Sequence, residues 1–329
     1  MDEIVLFNKI TELYTSVNTD LAERPVVPGT LLEQIAWVRN GANETPGSVV
    51  KFPFPWFSDV GGELNPSEEL ASVAPEMVNL MAVIKEYGQK PRTIARGTQL
   101  ADIYGTLERF APMMLAAAAR LQSLHLATLL GEGEAATSIH AYDNLPYFST
   151  GKRINPNKTL SPDTFSNYFA NLRLDKNGLN AMIDYLEAVP GPDGLPLDFP
   201  GVNYIACSTQ DQYSRACDLL MGENIAQAVG NAAASQSNKG LMGRAIPVKM
   251  NMLRRWNSGR AWYGFRVASP VHRPIIFSVK EAPSIVVEGL DSAEHIRATR
   301  NLIKYLWRGF WGIDYGMAQL AGKAVEPAV

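Results

Sequence analysis

Residue types that commonly carry catalysis or bind metals are sparse in this chain. Of its 329 residues, four are histidine and two are cysteine. Cys207 and Cys217 are not spaced as C-x-x-C, so they do not predict a zinc or redox site. His140 lies three residues before Asp143, a pair that could ligate a metal. We do not favour that interpretation, because the histidines are isolated from one another and from both cysteines: His125, His140, His272 and His295.

Sequence motifs of the common enzyme classes are also absent. The chain contains no G-x-G-x-x-G, G-x-x-x-x-G-K-[ST], H-E-x-x-H or G-x-S-x-G pattern. Ser149–Arg153 (STGKR) resembles a phosphate-binding turn but lacks its spacing, so a solvated loop is the better interpretation. His125 lies among leucines, which favours a core or interface histidine. We therefore expect no catalytic residue, no cofactor and no metal site.

One aromatic stretch near the carboxyl end admits two interpretations. Residues 304–316 (KYLWRGFWGIDYG) hold five large aromatics and three glycines. Such a stretch could stack a base or a cofactor. Alternation favours a core strand instead, because the apolar positions fall on one face. The predicted core face is made of Tyr305, Trp307, Trp311 and Tyr315, together with Ile313.

Bulk charge limits the classes of partner. The formal net charge is −3 and the isoelectric point is about 5.9. Both values argue against a broad nucleic-acid or anionic-membrane surface, although they leave room for a local basic patch. The acidic start of the sequence does not resemble a signal peptide, and no apolar run reaches the roughly 18 residues of a membrane span. So few cysteines indicate a reducing cytoplasm.

The elements of the first third are helical and then extended. Apolar residues recur every three to four positions over 2–22, which predicts an amphipathic helix. Residues 48–97 predict two extended stretches joined by a polar tip, in effect a long hairpin. Pro53 and Pro55 cannot donate to a ladder, so this hairpin belongs at an edge or on an unpaired arm.

A long helix and a mixed α+β region follow. Pro112 fits a first helical position and Gly131 fits a stop, which predicts a helix over about 112–130. Beyond it, the sequence predicts helices over 164–174 and 178–189, a strand over 202–208 and a helix capped by Ser208 or Thr209. A flexible loop is predicted over 231–244. Short strands are predicted over 245–253, 261–269, 273–282, 283–289 and within 304–316.

The order of these parts resembles a tailed-phage major capsid protein. Within that group the chain resembles the major head subunit family typified by phage Mu. The likeness covers most of the chain and is carried by KFPFPWF (51–57), RFAPMM (109–114), LSPDTF (160–165), the turn–strand–helix stretch 193–222, RAWYGF (260–265), RPIIFSVKEAPSIVV (273–287) and WRGFWGIDYG (307–316).

This resemblance implies the α+β capsid fold named after phage Hong Kong 97. Its parts would be an N-terminal arm (1–47), an extended E-loop hairpin (48–97), a P-domain with the long spine helix (98–160 and 290–329) and an A-domain (161–289). The aromatics of the hairpin are then candidates for contacts between subunits, because its prolines oppose ordinary pairing: Phe52, Phe54, Trp56 and Phe57.

The resemblance also implies binding partners and a location in the cell and the virion. Such subunits self-assemble into hexamers and pentamers of an icosahedral head that encloses double-stranded DNA. The expected partners are other copies of the chain, scaffold and portal proteins during assembly, and packaged DNA contacted weakly and without sequence specificity. Binding of a decoration protein is left open. The expected location is the virion, assembled in the bacterial host cytoplasm, with no membrane contact.

Two other classes remain as alternatives. An encapsulin-type compartment shell has the same fold but no packaged DNA, so nucleic acid inside purified particles separates it from a phage head. A soluble α/β enzyme would form a compact particle with a pocket, and sedimentation separates that small species from a shell or capsomer.

Overall fold

The computed structural model describes most of the chain. The described residues are 12, 15, 18, 19, 30–41, 45–56, 76–88, 92–94, 100–135, 145–150, 166–188, 201–222, 224–229, 232–237, 240–288 and 303–328. They form a mixed helix and strand fold with two five-stranded sheets and two separate hairpins.

The first sheet is built around the aromatic strand and is called the β13 sheet. Its strands run in the order β1-β12-β13-β4, and β5 also pairs with β13. β12 is antiparallel to β13 and parallel to β1. The strands are β1 (Ala36–Asn40), β4 (Lys85–Gly88), β5 (Arg92–Ile94), β12 (Ile275–Glu288) and β13 (Ile303–Tyr315).

The second sheet has strands from both the middle and the last part of the chain and is called the β7 sheet. Its order is β10-β7-β11-β14-β6. β14 is antiparallel to β11 and parallel to β6. The strands are β6 (Tyr168–Ala170), β7 (Val202–Cys207), β10 (Ala245–Lys249), β11 (Ala261–Val267) and β14 (Ala321–Val325).

Two further pairs of strands stand apart from these sheets. β2 (Val49–Trp56) and β3 (Glu76–Val83) form an antiparallel hairpin in which Val49 lies opposite Val83 and Trp56 opposite Glu76. β8 (Asn224–Val229) and β9 (Ala232–Ser237) form a second one. A two-stranded hairpin is marginal alone, so each needs a surface to lie on.

Three of the described helices begin where a short polar side chain caps them. Thr30 caps α1 (Leu31–Ile35), and Asp175 caps α3 (Lys176–Glu187) by accepting a hydrogen bond from the backbone of Gly178 at 2.9 Å. Thr209 and Gln212 form a reciprocal capping box at the start of α4 (Gln210–Met221). The longest helix is α2 (Leu100–Glu132), with 33 residues.

The main core lies between α2 and the two sheets. Leu126 and Leu130 of α2 join the same buried cluster as Tyr263 of β11 and Trp311 of β13. A second cluster lies under α3 and α4, on the other face of the β7 sheet, and includes Met182. The long helix is therefore packed against both sheets and holds them together.

Several predicted elements are confirmed. The sequence predicts the helices over 178–189 and after Thr209 and the strand over 202–208, and α3, α4 and β7 stand at those places. Of the helix predicted over 2–22, only four residues are described, and these are helical, with the Thr19 hydroxyl donating to the Thr15 carbonyl at 2.8 Å.

Other predictions are wrong. The helix predicted at about 112–130 begins at Leu100, so Pro112 lies inside it rather than at its start. Residues 168–170, predicted as helix, form β6, because the buried Asn167 amide donates to the carbonyls of Tyr147 and Ala318 and fixes an extended chain. Part of the loop predicted over 231–244 is strand β9. The two strands predicted over 273–289 are one strand, β12.

The predicted domain boundary between 289 and 290 does not coincide with either sheet. β12 lies before that boundary yet pairs along its length with β13, which lies after it. β14 also lies after the boundary, but it is a central strand of the β7 sheet. Each sheet therefore takes strands from both sides of the predicted division.

Candidate subunit interface

The aromatic strand β13 is buried by α2 on one face. Trp311 has no exposed surface, and Trp307 and Tyr315 are also buried. Trp311 stacks on Trp307 and on Tyr87 of β4, with ring centroids 6.1 Å and 4.5 Å apart. The Tyr315 hydroxyl donates to the carbonyl of Leu129 in α2 at 2.7 Å. These side chains face protein, so they offer no ring face to an outside base.

Residues of the long helix α2 pack against this face of β13. Ala118 and Leu121 belong to the cluster that contains Trp311. Tyr87 also contacts His125 of α2, with ring centroids 4.6 Å apart. Tyr305, the remaining member of the predicted core face, pairs with Val287 and Arg92 through its backbone, and its side chain is outside the description.

The opposite face of β13 is covered by the hairpin. Val50 and Phe52 of β2, with Leu80 and Ala82 of β3, are buried against Ile276 and Phe310. Phe52 has no exposed surface and meets the Trp37 ring edge to face at 5.1 Å. The base of the hairpin is thus packed on its own chain, and the β13 sheet is buried on both faces.

Gly312 lets the hairpin approach this strand closely. A Cβ added at Gly312 would lie 2.4 Å from the carbonyl oxygen of Val83 and 2.8 Å from its carbonyl carbon. Any side chain there would collide with backbone rather than with a movable side chain. Position 312 therefore requires glycine, because the backbone of the hairpin lies directly against it.

The outer face of the hairpin base is apolar and exposed. Val49 and Val83 lie opposite each other across the two strands, and Met81 lies opposite Lys51. Val49 is 46% exposed, Val83 39% and Met81 53%. Large exposed apolar side chains that cluster in this way mark surfaces for contact with another protein.

The hairpin aromatics predicted as contacts between subunits do not form one group. Phe52 is not available for a contact, because its own chain buries it completely. Phe54 and Trp56 lie in β2 opposite Val78 and Glu76. Their side chains are outside the description, and Phe57 lies outside the described residues altogether.

The exposed residues that sequence reasoning missed have a signal in hindsight. In β2, residues of odd number are exposed and those of even number buried, at least over 49–52. The sequence VVKFPFPW contains one polar residue, Lys51, at an odd position, but its prolines and otherwise apolar residues show no further alternation. The register with β3 places Met81 and Val83 on the same face as Lys51.

The isolated histidines occupy structural positions where they are described. Burial, and then the charge of Lys85, lower the pKa of His125. Burial also lowers the pKa of His272, whose Nδ1 lies 2.6 Å from the Ser269 hydroxyl. His140 and His295 are outside the described residues. Within the described ranges, no three His, Cys, Asp or Glu side chains come together as a metal site requires.

The remaining ionisable groups of the core also show the effect of burial. Burial raises the pKa of the Cys207 thiol to about 12. Lys323 is fully buried in β14, where burial lowers the pKa of its ammonium group. It lies 3.3 Å from Glu134 and donates to the carbonyl of Gly131, at the carboxyl end of α2, at 3.4 Å. This arrangement ties the end of the long helix to the β7 sheet.

Comparison with solved structures identifies the fold. The chain is similar to the capsid structure of cyanophage P-SCSP1u, with 14% identity, a TM-score of 0.55 and coverage of 92% of this chain and 89% of that one. The procapsid of bacteriophage JBD30 matches with 16% identity and a TM-score of 0.48, over 100% of this chain and 77% of the other. The capsid of cyanophage Pam1 matches with 9% identity and a TM-score of 0.49, over 89% and 92%.

No protein-family model and no curated protein sequence matches this chain. The comparisons show the fold, which is the α+β capsid fold of the Hong Kong 97 type. Among the described helices, none is long and apolar enough to cross a membrane.

Proposed function

We propose that this chain is the major capsid subunit of a tailed phage, assembling into hexamers and pentamers of an icosahedral head around double-stranded DNA. The fold supports a shell protein, and one surface supports assembly. That surface is the exposed apolar strip at the hairpin base, formed by Val49, Met81 and Val83. Its occupant in this proposal is a second copy of the same chain.

The strip suits a contact between copies because of where it stands. The inner face of the hairpin is already used by the chain's own core, so the outer face is the one left for a neighbour. Phe54 and Trp56 have the same parity in β2 as the buried Phe52. Farther out along the hairpin, we propose that these two aromatics lie against a neighbouring subunit.

A contact of this kind closes into rings. One surface of a subunit meets a different surface of the next, and such a heterologous interface gives a ring where the rotation closes. Each subunit then makes several contacts at once, so a strong shell can be built from individually weak interfaces. Hexamers and pentamers of one chain use the same pair of surfaces at two rotations.

The finer parts of the proposal rest on sequence resemblance. The relation to phage Mu is carried by the seven stretches quoted above. Scaffold and portal proteins are proposed as partners during assembly in the bacterial cytoplasm, and the virion as the final location. We propose a structural role without catalysis, since a shell subunit needs none.

The test is a substitution on the strip. Met81→Asp leaves the subunit folded, because the side chain is half exposed, and abolishes particles seen by electron microscopy and sedimentation. Met221→Asp is the matched control, since Met221 is 63% exposed at the end of α4, away from the hairpin. Unchanged shells from Met81→Asp, or a wild-type chain that stays a small species, would contradict the proposal.

A deletion asks the same question of the whole hairpin. Removing Val60–Leu70, between the two strands, leaves circular dichroism and melting nearly unchanged while shells disappear. Loss of folded protein would mean that residues 60–70, like the base of the hairpin, belong to the core of their own subunit. Nucleic acid inside nuclease-treated wild-type particles distinguishes a phage head from an encapsulin-type compartment.

A further inference from the structure

One segment of the chain has a charge opposite to the rest. Residues 224–280 contain nine lysines and arginines and no aspartate or glutamate. Of the 30 basic side chains in the whole chain, 21 therefore remain elsewhere, against all 33 acidic ones. A net charge of −3 thus combines a basic segment with an acidic remainder; Arg244 and Arg266 of that segment pair with Glu187, so its free charge lies on the other basic side chains.

Part of this segment forms a fixed projection, which we call the basic platform, residues 249–258. It begins at the end of β10 and contains the 3-10 helix Asn251–Arg255. Leu253 is fully buried in the main core. The Trp256 ring lies over Gly131 of α2, so closely that a Cβ on the glycine would come within 2.2 Å of it. The platform is therefore anchored to the long helix.

The backbone after the platform is held in an uncommon conformation. Asn257, Ser258 and Gly259 are three consecutive residues with positive φ, at 51°, 53° and 72°. Such a run is costly for residues other than glycine and persists where the surroundings fix it. Here the Ser208 hydroxyl donates to the carbonyl of Gly259 at 2.7 Å, and the backbone of Arg260 donates to the carbonyl of Asn257 at 3.0 Å.

Two guanidinium groups stand out from this rigid base. Arg254 and Arg255 are exposed, and neither forms an ion pair with any residue that the structure describes. The stem of Arg254 passes over Gly259, with its Cγ 3.2 Å from where a glycine Cβ would stand. The guanidinium of Arg255 lies 5.8 Å from the centroid of the Trp256 ring. Both side chains are thereby restrained before any partner binds.

The exposed groups of the platform are hydrogen-bond donors. Besides the two arginines, Lys249, Asn251 and Ser258 are exposed, and the ammonium of Lys249 is held by Gln210 at 2.6 Å. Asp211, the neighbour of Gln210, pairs with Arg215, and so does Glu326. No carboxylate within 249–258 competes for the arginines, because that stretch has none.

This composition favours a phosphate surface over a protein surface. The centre of a protein interface is apolar and depleted of charge. Here the apolar side chain of Leu253 points into the core, and the outward positions are charged or polar. A duplex carries one negative charge per about 1.7 Å of its axis and is bound by arginine, lysine and neutral donors such as asparagine and serine.

We propose that the basic platform binds the phosphate backbone of double-stranded nucleic acid, without reading its sequence. The proposal rests on the function proposed above and assigns the platform to the surface that faces the packaged duplex. Arg254 and Arg255 supply the two main phosphate contacts, and Lys249, Asn251 and Ser258 add donors. The acidic remainder of the chain keeps the duplex from adhering elsewhere.

The test is the salt dependence of duplex binding by the unassembled full-length chain. Anisotropy of a labelled duplex of about 20 bp is followed between about 50 and 200 mM salt, where each phosphate contact contributes about 0.9 to the slope of log K against log salt. The double variant Arg254→Ala/Arg255→Ala is expected to lower that slope by about 1.8. Two duplexes of unrelated sequence should give equal slopes.

The control removes the same charge elsewhere. Arg173→Ala/Arg308→Ala deletes two arginines that are exposed and lie outside the platform, and its slope should match that of the wild type. Equal slopes for both double variants, or no duplex binding by the wild type, overturn the proposal. Duplex binding unchanged in Arg254→Ala/Arg255→Ala together with loss of shells also overturns it, since the platform is then a contact between proteins.

The same experiment separates this inference from the proposed function. A wild-type chain that forms no shells under any condition refutes the capsid role, while its duplex binding can still be measured. Shells that form normally from both double variants, with identical salt slopes, leave the capsid role intact and refute only the platform.

Discussion

Replacement of Trp311 by alanine tests whether the aromatic strand is core or a stacking platform. The indole is completely buried, between Trp307 and Tyr87, in the cluster that contains α2. Removing a buried tryptophan costs about 3–5 kcal/mol, through the lost transfer free energy and the cavity left behind. A domain has only roughly 5–15 kcal/mol of stability, so the variant should lose a large share of it.

A second substitution refines that magnitude. The indole nitrogens of Trp311 and Trp307 are buried and have no hydrogen-bond partner among the described residues. Leaving a buried donor unpaired costs about 1–3 kcal/mol, so Trp311→Phe removes an unfavourable group as well as part of a ring. We therefore expect Trp311→Phe to destabilise the subunit clearly less than Trp311→Ala does.

Two measurements are made on the unassembled subunit: urea unfolding gives the free energy of unfolding, and thermal unfolding gives the melting temperature. With an unfolding entropy of about 2.1 cal/mol/K per residue, a chain of 329 residues shifts by about 1.4 °C per kcal/mol, so Trp311→Ala should lower the melting temperature by roughly 4–7 °C. Arg308→Ala, at an exposed position three residues earlier, should change stability by less than about 0.5 kcal/mol. An unchanged melting temperature in Trp311→Ala, combined with loss of DNA from otherwise normal particles, would refute a core strand and favour a base-stacking site.

Three other perturbations follow from contacts described above. Gly312→Ala should destabilise the subunit by about 1–3 kcal/mol, as overpacking does, because the added Cβ would collide with the Val83 carbonyl. Gly240→Ala is the control and should be nearly neutral, because a Cβ there meets nothing within 4 Å. Equal losses of stability in the two variants would refute the close contact between the hairpin and β13. Because burial lowers the folded-state pKa of His125, the unfolded chain binds a proton that the folded chain does not once the pH falls below the ordinary value of 6.5. The free energy of unfolding should therefore decrease from pH 7 to pH 5, and less so in His125→Gln; a variant with the wild-type pH profile would contradict this. Because burial raises the pKa of the Cys207 thiol to about 12, this thiol should not react with a thiol reagent at pH 8 until the subunit unfolds. The partly exposed Cys217 should react in the folded state. Similar reaction rates for both thiols in native protein would show that the β7 sheet opens.

The parts of the fold that the sequence predicts are those with a local cause. The helix after Thr209 has a capping box, and the strand at 202–208 is a short apolar run before a cap, so both are visible in a few consecutive residues. The predicted start of α2 is wrong because a local signal is misleading. A proline is favoured at a first helical position, so Pro112 indicates a beginning, although here the helix simply continues through it.

The candidate interface is less predictable because it depends on pairing between distant segments. Phe52 has the composition of a contact residue, but Trp37 and Phe310 cover it from strands 15 and 258 residues away in sequence. Likewise, Met81 becomes an exposed apolar residue only once the register of β2 and β3 is known. A one-residue shift would exchange the inner and outer faces of the hairpin, and the sequence of either strand alone does not fix that shift.

The division of β13 and β14 between the two sheets has a consequence for synthesis of the chain. β13 is the inner partner of β12 in one sheet, and β14 lies between β11 and β6 in the other. A ribosome that has reached residue 302 has therefore completed neither sheet, although most of the chain has already been made. Fragments that end before this point lack an interior strand of each sheet. Both sheets can therefore be completed only after synthesis of residues 303–325.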